Sequence, residues 1–429
     1  MPQAAEDPKF TRHQLRPVGD SLPGKTPLTY FPKKIEWPES TAETIAIPSN
    51  WSPTNFREYI LKIHGRCNLR CDYCYMYAMT DQDWRSQPMK MAPRTIVQVA
   101  SRLAEYVTTA RLSEVSVIFH GGEPLLAGAD LIGFAAAEFR RVIPAGTRLR
   151  LSVQTNGSLL NREILAVLLD HDVSVGLSLD GRQADNDRHR RYADGRGSHR
   201  QVLRGLTLLR GEPFRRLFAG LLCTVDLAAD PIATLEALAE HEPPFIDFML
   251  PHGNWTDRPI GREPDSTLTP YGDWLIAVFD FWYTNNAPRI RFFEEIIQLC
   301  LGGRSRSEAI GLSPAAMIVV NTDGSLEQVD TLRSAFTGAV STGLNVFTHG
   351  FETALNHPTI VARQVGIAAL SETCTSCSLR RICGGGYYPH RYKSGSGFLN
   401  PSVYCPDLIR LITHIRGRLM ADLNAAALS

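Results

Sequence analysis

Three closely spaced cysteines are the first residues in this 429-residue sequence whose types and spacing point to chemistry. Cys67, Cys71 and Cys74 follow the pattern C-x3-C-x2-C within "HGRCNLRCDYCYMY", directly after an apolar run. We call this segment the first cysteine loop. Four cysteines normally hold a [4Fe-4S] cluster, so three leave one iron open for another ligand. A zinc site is the alternative, but zinc needs four ligands and His64 is the one further candidate nearby.

Four more cysteines lie toward the C-terminal end. Cys374, Cys377 and Cys383 have the spacing C-x2-C-x5-C, and Cys405 follows at a distance. We call these four residues the second cysteine group. Four thiolates complete the ligand shell of one cluster, and structural zinc is the alternative because four thiolates suit either metal.

The pattern after residue 56 predicts the elements that position these cysteines. Short apolar runs alternate with segments of helical period, which is typical of repeated βα units. The predicted strands are residues 57–63, 114–120, 148–154, 173–179, 217–225 and 245–250. The predicted helices are residues 93–108, 161–170, 268–283, 291–301 and 406–424. Parallel strands with crossover helices favour a partly closed barrel whose chemistry lies at the carboxyl ends of the strands.

One helix gives a prediction for individual side chains. In the helix over 93–108, the residues predicted to share the buried face are Ile96, Val97, Ala100, Leu103 and Val107.

Charge and composition limit the classes of partner. The chain has 45 basic and 44 acidic side chains, so no overall field attracts it to nucleic acid or to an anionic membrane. The N-terminus has no apolar core of signal-peptide length, and no stretch is long enough to cross a bilayer. We therefore expect a cytoplasmic protein, in which clustered cysteines bind metal rather than form disulfides.

The first cysteine loop resembles the defining motif of the radical S-adenosylmethionine (SAM) enzymes. In that family the open iron binds SAM, and electron transfer from the cluster produces a 5'-deoxyadenosyl radical. "HGGEP" at 120–124 is similar to the family's GGE motif, which implies that Gly121, Gly122 and Glu123 contact the amino group of SAM. The resemblance assigns further cofactor contacts to Tyr73, Gln154, Ser178 and Arg190. For Arg190, a solvated run of charges is the alternative.

The second cysteine group resembles the SPASM extension of radical SAM peptide maturases, which carries two auxiliary clusters. Val329 and Tyr387 stand where that pattern has cysteines, so the resemblance implies one auxiliary [4Fe-4S] cluster held by the second cysteine group. Asp330 falls where sulfatase-maturating relatives have a proton-accepting aspartate, although an aspartate after a strand is also a common turn former.

The resemblance implies an α/β fold of three parts. These are an N-terminal arm over 1–55, a partial (β/α)6 TIM-like radical SAM barrel over 56–290, and a SPASM/twitch-like auxiliary-cluster domain over 291–429.

Within these maturases, "FREYILKIHGRCNLRCDYCY" and "HGGEPLLAG" most resemble the FxsB-type branch, which includes enzymes that form three-residue cyclophanes. This implies a ribosomal precursor peptide as substrate, an external electron donor of flavodoxin or ferredoxin type, and a carbon–carbon crosslink from a side-chain β-carbon to an aromatic ring. Thioether formation, epimerisation and side-chain oxidation share these motifs. A non-catalytic iron-sulfur or zinc module is a further alternative. The balanced charge disfavours a nucleic-acid substrate.

Overall fold

The computed structural model describes Ile45, Ile47 and residues 49–263, 266–285 and 287–428. All of these residues fall within one compact unit, Lys34–Ser429. Most of the arm predicted over residues 1–55 lies outside the described residues, and the predicted boundaries at 55 and 290 stay predictions.

Strands from both the barrel and the C-terminal region join one ten-stranded sheet. The strands are β1 (Glu58–His64), β2 (Glu114–Gly121), β3 (Arg148–Thr155), β4 (Val173–Ser178), β5 (Phe218–Thr224), β6 (Phe245–Met249), β7 (Arg289–Ile290), β8 (Met317–Val320), β9 (Ser325–Glu327) and β10 (Ser341–Asn345).

The longer α-helices connect these strands or follow them. They are α1 (Pro93–Thr109), α2 (Ala129–Val142), α3 (Arg162–Asp170), α4 (Gln183–His189), α5 (His199–Arg210), α6 (Pro231–Ala239), α7 (Pro270–Thr284) and α8 (Arg291–Cys300). The C-terminal region adds α9 (Phe351–Leu355), α10 (Pro358–Val361), α11 (Glu372–Thr375), α12 (Arg380–Cys383) and α13 (Cys405–Leu428). Short 3-10 helices span Asp83–Arg85, Pro124–Ala127, Phe214–Leu217, Asp330–Ser334, Gly366–Ala369 and Tyr388–Arg391.

The sheet order confirms the predicted βα repeat. The strands run β10-β9-β8-β1-β2-β3-β4-β5-β6-β7, and every pair from β1 to β7 is parallel. All six predicted strands are present within one residue of their predicted ends. From β1 to β7, neighbours in the sheet follow chain order, as a series of crossovers of one hand requires. The fold is therefore α/β, with a parallel core of the partial TIM-like type.

Each barrel strand divides its side chains between two faces. On β2, Val115 and Phe119 are fully buried in the hydrophobic core, whereas Ser116 and His120 are half-buried. Because successive side chains of a strand point to opposite faces, one face packs against the helices and the polar face lines the barrel interior. The strands thus present polar groups along the interior.

Helix α1 shows one departure from its predicted face. Val97 is 41% exposed, and Val99 takes the buried place instead. Buried positions at Ile96, Val99, Ala100 and Leu103 follow the 3.6-residue period, and Val97 lies outside this stripe. The prediction for Val97 was wrong because successive residues of a helix point in different directions, so Val97 does not share the face of Ile96.

Strand β1 links the C-terminal region to the barrel. It pairs in parallel with β2 on one side and with β8 on the other, and the antiparallel pairs β8–β9 and β9–β10 extend the sheet. The first cysteine loop begins where β1 ends. Residues that follow β9 are thereby brought beside this loop.

Helix α13 fixes the end of the second cysteine group on the barrel. Its first residue is Cys405, and the Asp407 carboxylate accepts hydrogen bonds from the backbone N–H groups of Tyr271 and Gly272, both at 2.9 Å. These N–H groups belong to the first turn of α7, where backbone donors lack helical partners. Among the described residues, no helix has the length and apolar character needed to cross a bilayer.

Candidate active site

The end of β2 packs directly against the first cysteine loop. The backbone N–H of Gly122 donates to the His64 carbonyl (3.0 Å), and that of Glu123 donates to the Arg66 carbonyl (2.9 Å). A Cβ atom on Gly122 would lie 1.9 Å from Tyr77 Oη, and one on Gly121 would lie 2.1 Å from the His64 carbonyl oxygen. The two glycines are therefore required by contact with the cysteine loop, a reason that the sequence did not reveal.

The three thiols of the first cysteine loop lie together in a half-buried setting. Burial raises the pKa of Cys67 to about 12 and that of Cys71 to about 11, and it also raises the pKa of Cys74. Coordination to iron would offset this cost, because a coordinated thiol is deprotonated. In the part of the chain that the structure describes, no three His, Cys, Asp or Glu side chains converge as ligands of a single ion. The thiolates of a cluster bind different irons and need not meet at one point.

Glu123 is fully buried and is held by the end of β3. Its carboxylate accepts hydrogen bonds from Thr155 Oγ1 (2.6 Å), the Asn156 N–H (2.8 Å) and the Leu125 N–H (3.0 Å). Burial raises the pKa of Glu123, although these hydrogen bonds act in the opposite direction. Its charge also raises the pKa of Cys67, which places the carboxylate close to the first cysteine loop.

Two of the predicted contact residues meet across neighbouring strands. Gln154 Nε2 donates to Ser178 Oγ at 3.2 Å, from β3 to β4. A Cβ atom on Gly176 would lie 2.2 Å from Gln154 Oε1, so the glycine leaves space for this amide. The structure thus brings Gln154 and Ser178 together on the interior face.

Arg190 forms a buried network with Tyr73 and Asp180. Arg190 Nη1 donates to Tyr73 Oη (2.9 Å), and Tyr73 Oη donates to Asp180 Oδ2. Nε of Arg190 is buried without a hydrogen-bond partner among the described residues. The guanidinium also lowers the pKa of Cys71, although burial has the larger, opposite effect. A planar cation with a free N–H beside the cysteine loop suits a carboxylate ligand. Sequence reasoning missed Asp180.

A second buried network, which we call the charge cluster, consists of Lys62, Asp81, Glu327, Asp330 and Arg333. Lys62 Nζ lies 2.5 Å from Asp330 Oδ1 and 3.0 Å from Glu327 Oε2. Arg333 reaches Glu327 Oε2 (2.8 Å), Asp81 Oδ1 (3.2 Å) and Asp330 Oδ1 (3.4 Å). Each side chain in the charge cluster is less than a tenth exposed. With two cations and three anions, the charge cluster carries one excess negative charge when all five are ionised.

The three carboxylates differ in how fully their oxygens are bonded. Glu327 Oε1 accepts from Asn321 Nδ2 (2.8 Å), and Asp81 Oδ2 accepts from the Gly338 N–H (3.1 Å). Asp330 Oδ2 is buried and has no partner among the described residues. The Asp330 charge also raises the pKa of Cys74, after the larger effect of burial. Asp330 is therefore the member with a free oxygen beside the first cysteine loop.

Sequence reasoning missed Lys62, Asp81, Glu327 and Arg333. Lys62 and Glu327 are 265 positions apart, a distance at which no local pattern indicates pairing. One available signal was a lysine inside the apolar run "EYILKIH" of β1, where it is 1% exposed. A buried lysine requires an anionic partner.

The four members of the second cysteine group also lie together. Burial raises the pKa of Cys383 to about 12 and that of Cys405 to about 11, and the charge of Cys374 adds to both increases. Cys377 likewise raises the pKa of Cys405. The structure thus brings together four thiols that the sequence separates by up to 31 positions.

Other side chains fill the two positions where the SPASM pattern has additional cysteines. Tyr387 Oη lies 2.6 Å from Thr331 Oγ1, within hydrogen-bonding distance. Val329 is 7% exposed and packs in a small hydrophobic cluster that includes Tyr388 and Tyr392. Neither position provides a thiolate.

Comparison with known proteins identifies the barrel. Residues 61–242 match the radical SAM superfamily. The chain is 26% identical over 371 residues to a cysteine-type anaerobic sulfatase-maturating enzyme of Clostridium perfringens, which covers 83% of this chain and 95% of the relative. A serine-type anaerobic sulfatase-maturating enzyme of Klebsiella aerogenes is 26% identical and covers 82% of this chain and 84% of the relative. This chain is a radical SAM enzyme.

Solved structures support the same fold. The structure of anSMEcpe with bound AdoMet and Cp18Cys peptide has a TM-score of 0.74 and 22% identity, and covers 87% of this chain and 100% of that chain. SuiB of Streptococcus suis bound to precursor peptide SuiA has a TM-score of 0.53 and 14% identity, and covers 82% of this chain and 76% of that chain. At these identities the likeness concerns the fold.

The residues of the radical SAM barrel fit the cofactors of the superfamily. Three thiols from one loop leave a coordination position of a [4Fe-4S] cluster open, and the unpartnered Nε of Arg190 is a donor for a carboxylate. Both features lie at the carboxyl ends of the strands, where barrel enzymes place their chemistry. Assignment of individual residues to cofactor atoms remains a prediction.

Proposed function

We propose that this radical SAM enzyme is a maturase that modifies side-chain carbon atoms of a peptide or protein. Two sulfatase-maturating enzymes match more than four fifths of the chain, and both structures compared above contain a bound peptide. The observation that carries the proposal is the free oxygen of Asp330. It belongs to a buried carboxylate between the first cysteine loop and the C-terminal region, where a substrate side chain would lose a proton.

The proposal assigns cofactors to specific residues. Cys67, Cys71 and Cys74 hold the SAM-binding cluster, Glu123 meets the SAM amino group, and Arg190 meets its carboxylate. Tyr73, Gly121, Gly122, Gln154 and Ser178 complete the SAM contacts. Cys374, Cys377, Cys383 and Cys405 hold one auxiliary [4Fe-4S] cluster. When bound, these groups supply a hydrogen-abstracting radical and an electron acceptor.

The charge cluster gives Asp330 its proposed role as a base. After a hydrogen atom leaves the substrate β-carbon, formation of the oxidised product releases one proton and one further electron. Asp330 Oδ2 accepts that proton. Lys62 and Arg333 hold the other oxygen, Oδ1, which fixes the orientation of the carboxylate.

Two products remain as candidates, each supported by a different observation. The named relatives act on cysteine or serine, which supports oxidation of such a side chain to an aldehyde. The second candidate is a carbon–carbon crosslink between a β-carbon and an aromatic ring. This candidate is supported by the resemblance of "FREYILKIHGRCNLRCDYCY" and "HGGEPLLAG" to the FxsB-type branch.

Mass spectrometry of a co-expressed peptide tests the proposal. Small peptides encoded beside the gene are produced with the enzyme and analysed by tandem mass spectrometry. A crosslink removes two hydrogens and suppresses backbone fragmentation within the linked residues. Oxidised serine also lacks two hydrogens, but its aldehyde reacts with a hydrazide, and oxidised cysteine has exchanged sulfur for oxygen. Absence of any modification and of 5'-deoxyadenosine release in the presence of every candidate peptide would contradict the proposal.

A further inference from the structure

Five aromatic side chains form a continuous set of ring contacts between the two cysteine sites. We call it the ring cluster, and its members are Tyr75, His252, Tyr387, His390 and Tyr404. His252 contacts Tyr75 edge-on, with 4.8 Å between ring centroids, and lies 5.8 Å from His390. His390 in turn lies 5.3 Å from Tyr387 and 5.0 Å from Tyr404.

The ring cluster adjoins both cysteine sites and the charge cluster. Tyr75 directly follows Cys74 in the first cysteine loop, and Tyr404 directly precedes Cys405 in the second group. The Asp330 charge raises the pKa of Tyr75, after the larger effect of burial, so the ring cluster also borders the charge cluster. His252 comes three residues after β6, at the carboxyl end of a barrel strand.

Two imidazole nitrogens in the ring cluster lack hydrogen-bond partners. His252 Nδ1 and His390 Nε2 are buried, and neither has a partner among the described residues. His390 is 4% exposed, and His252 is half-buried. A buried polar atom without a partner costs free energy unless water or a ligand completes its bonding. Because both atoms are in the same small group of rings, one ligand can satisfy both.

The electrostatic setting indicates the chemistry of that ligand. Burial lowers the pKa of His252 to about 4, and burial followed by the charges of His252 and Arg391 lowers the pKa of His390. Both rings are therefore neutral at physiological pH. A neutral imidazole nitrogen is a donor or an acceptor, depending on the tautomer. Two neutral nitrogens match an uncharged group that carries both a donor and an acceptor.

We infer that His252 and His390 form an amide-recognition pair that binds one amide of the peptide substrate, from its backbone or from an asparagine or glutamine side chain. The inference rests on the proposed function, since it assumes a peptide substrate. It assigns the pair to recognition and places the modified side chain of the same peptide toward Asp330. Neither histidine exchanges a proton with the substrate.

The experiment begins with an mRNA-displayed library of random twelve-residue peptides, selected on the wild-type enzyme loaded with its clusters and SAM. Enriched peptides are then titrated against four variants. His252→Phe and His390→Phe keep a ring and remove the nitrogens. His252→Asn keeps a polar atom at the Nδ1 position, and His390→Gln keeps one at the Nε2 position. Loss of one buried hydrogen bond should weaken peptide binding about tenfold in each phenylalanine variant. The Asn and Gln variants should regain most of the lost affinity.

His357→Phe is the matched control, because His357 is also half-buried with a pKa lowered by burial to about 4, and its ring lies outside the ring cluster. Melting temperature and cluster absorbance show whether each variant is folded and loaded. Equal binding by wild type and both phenylalanine variants would overturn the inference and leave the proposed function standing. A wild-type enzyme that enriches no peptide would overturn both. Once a substrate is identified, replacement of either histidine by phenylalanine should change KM more than kcat.

Discussion

Lys62 Nζ on the first barrel strand lies 2.5 Å from Asp330 Oδ1, which comes just after β9 in the C-terminal region. This contact joins the part of the chain that carries the radical SAM cysteines to the part that carries the proposed base. The opposite oxygen of the same carboxylate remains unpartnered among the described residues. One oxygen of Asp330 is thus held by cations, and the other lacks a partner in the described part of the chain.

Replacement of Asp330 should separate activity from stability. Asp330→Asn leaves two cations and two anions in the charge cluster, so its buried charge becomes balanced. We expect a free energy of unfolding within about 1 kcal/mol of wild type, because no uncompensated charge is left. Product formation should fall by at least about a hundredfold, the usual scale of a lost general base. Urea denaturation and single-turnover assays measure the two effects, and retained turnover would rule out the role of Asp330.

Replacement of Lys62 should reduce stability, unlike replacement of Asp330. Lys62→Met leaves one cation among three buried carboxylates, which should cost about 3–5 kcal/mol of unfolding free energy. The double variant with Asp330→Asn should recover part of this loss, because it removes one of the uncompensated charges. The comparison uses urea denaturation of all three variants. Additive effects in the double variant would show that the two side chains are not coupled.

Glu327 should make the protein sensitive to acid. Burial alone would raise the pKa of Glu327. The charges of Lys62 and Arg333 outweigh burial and lower this pKa from its ordinary 4.5 to about 2. Since the folded pKa is the lower one, this group stabilises the fold above pH 4.5, and the contribution is lost as the pH falls toward 2. Denaturation at a series of pH values should show a flatter acid limb in Glu327→Gln. Parallel acid limbs would contradict this assignment.

Arg190 should affect SAM binding through its shape as well as its charge. Arg190→Lys keeps the charge but loses the planar donor set, so SAM binding to the cluster-loaded enzyme should weaken about tenfold. Arg191→Lys is the neighbouring control, because Arg191 is exposed and its Nε donates to a backbone carbonyl at Asp187. Calorimetry measures the SAM affinity of both variants. Equal affinities for the two variants would remove Arg190 from the SAM site.

The glycine pair should be required for cluster assembly. A methyl group at Gly122 would overlap Tyr77 Oη and the Arg66 carbonyl, and so would push the first cysteine loop away from β2. Gly122→Ala should therefore reduce iron bound after anaerobic reconstitution. Gly146→Ala is the control, since nothing lies within 4 Å of its Cβ position. Normal iron content in Gly122→Ala would show that the loop adapts without loss.

The number of clusters can be tested by replacing one cysteine of the second cysteine group and one cysteine outside it. Cys405→Ser should lower iron per chain by about half, because one of two clusters loses a ligand. Cys300→Ser should leave it unchanged, since Cys300 lies at the end of α8 and outside both cysteine sites. An equal loss from both variants would indicate a ligand role for Cys300.

The sequence predicted the barrel because its signals are local. Apolar strands, helical periods and the cysteine spacings all lie within short windows, and a family resemblance connected them. The charge cluster and the ring cluster were not predicted as groups. His252 and His390 come from separate loops and meet through the packing of the C-terminal region on the barrel, which no periodicity encodes. The loss of the extra SPASM cysteines was visible in sequence, whereas the Tyr387–Thr331 contact was not.

The position of β1 also constrains synthesis of the chain. Its first partner, β2, leaves the ribosome about fifty residues later, but the partner for its other edge, β8, begins only at Met317. Until then the edge of a largely apolar strand is unpaired, which invites association with other nascent chains. Production in a heterologous host should therefore depend on chaperone supply and on translation speed through the final third of the gene.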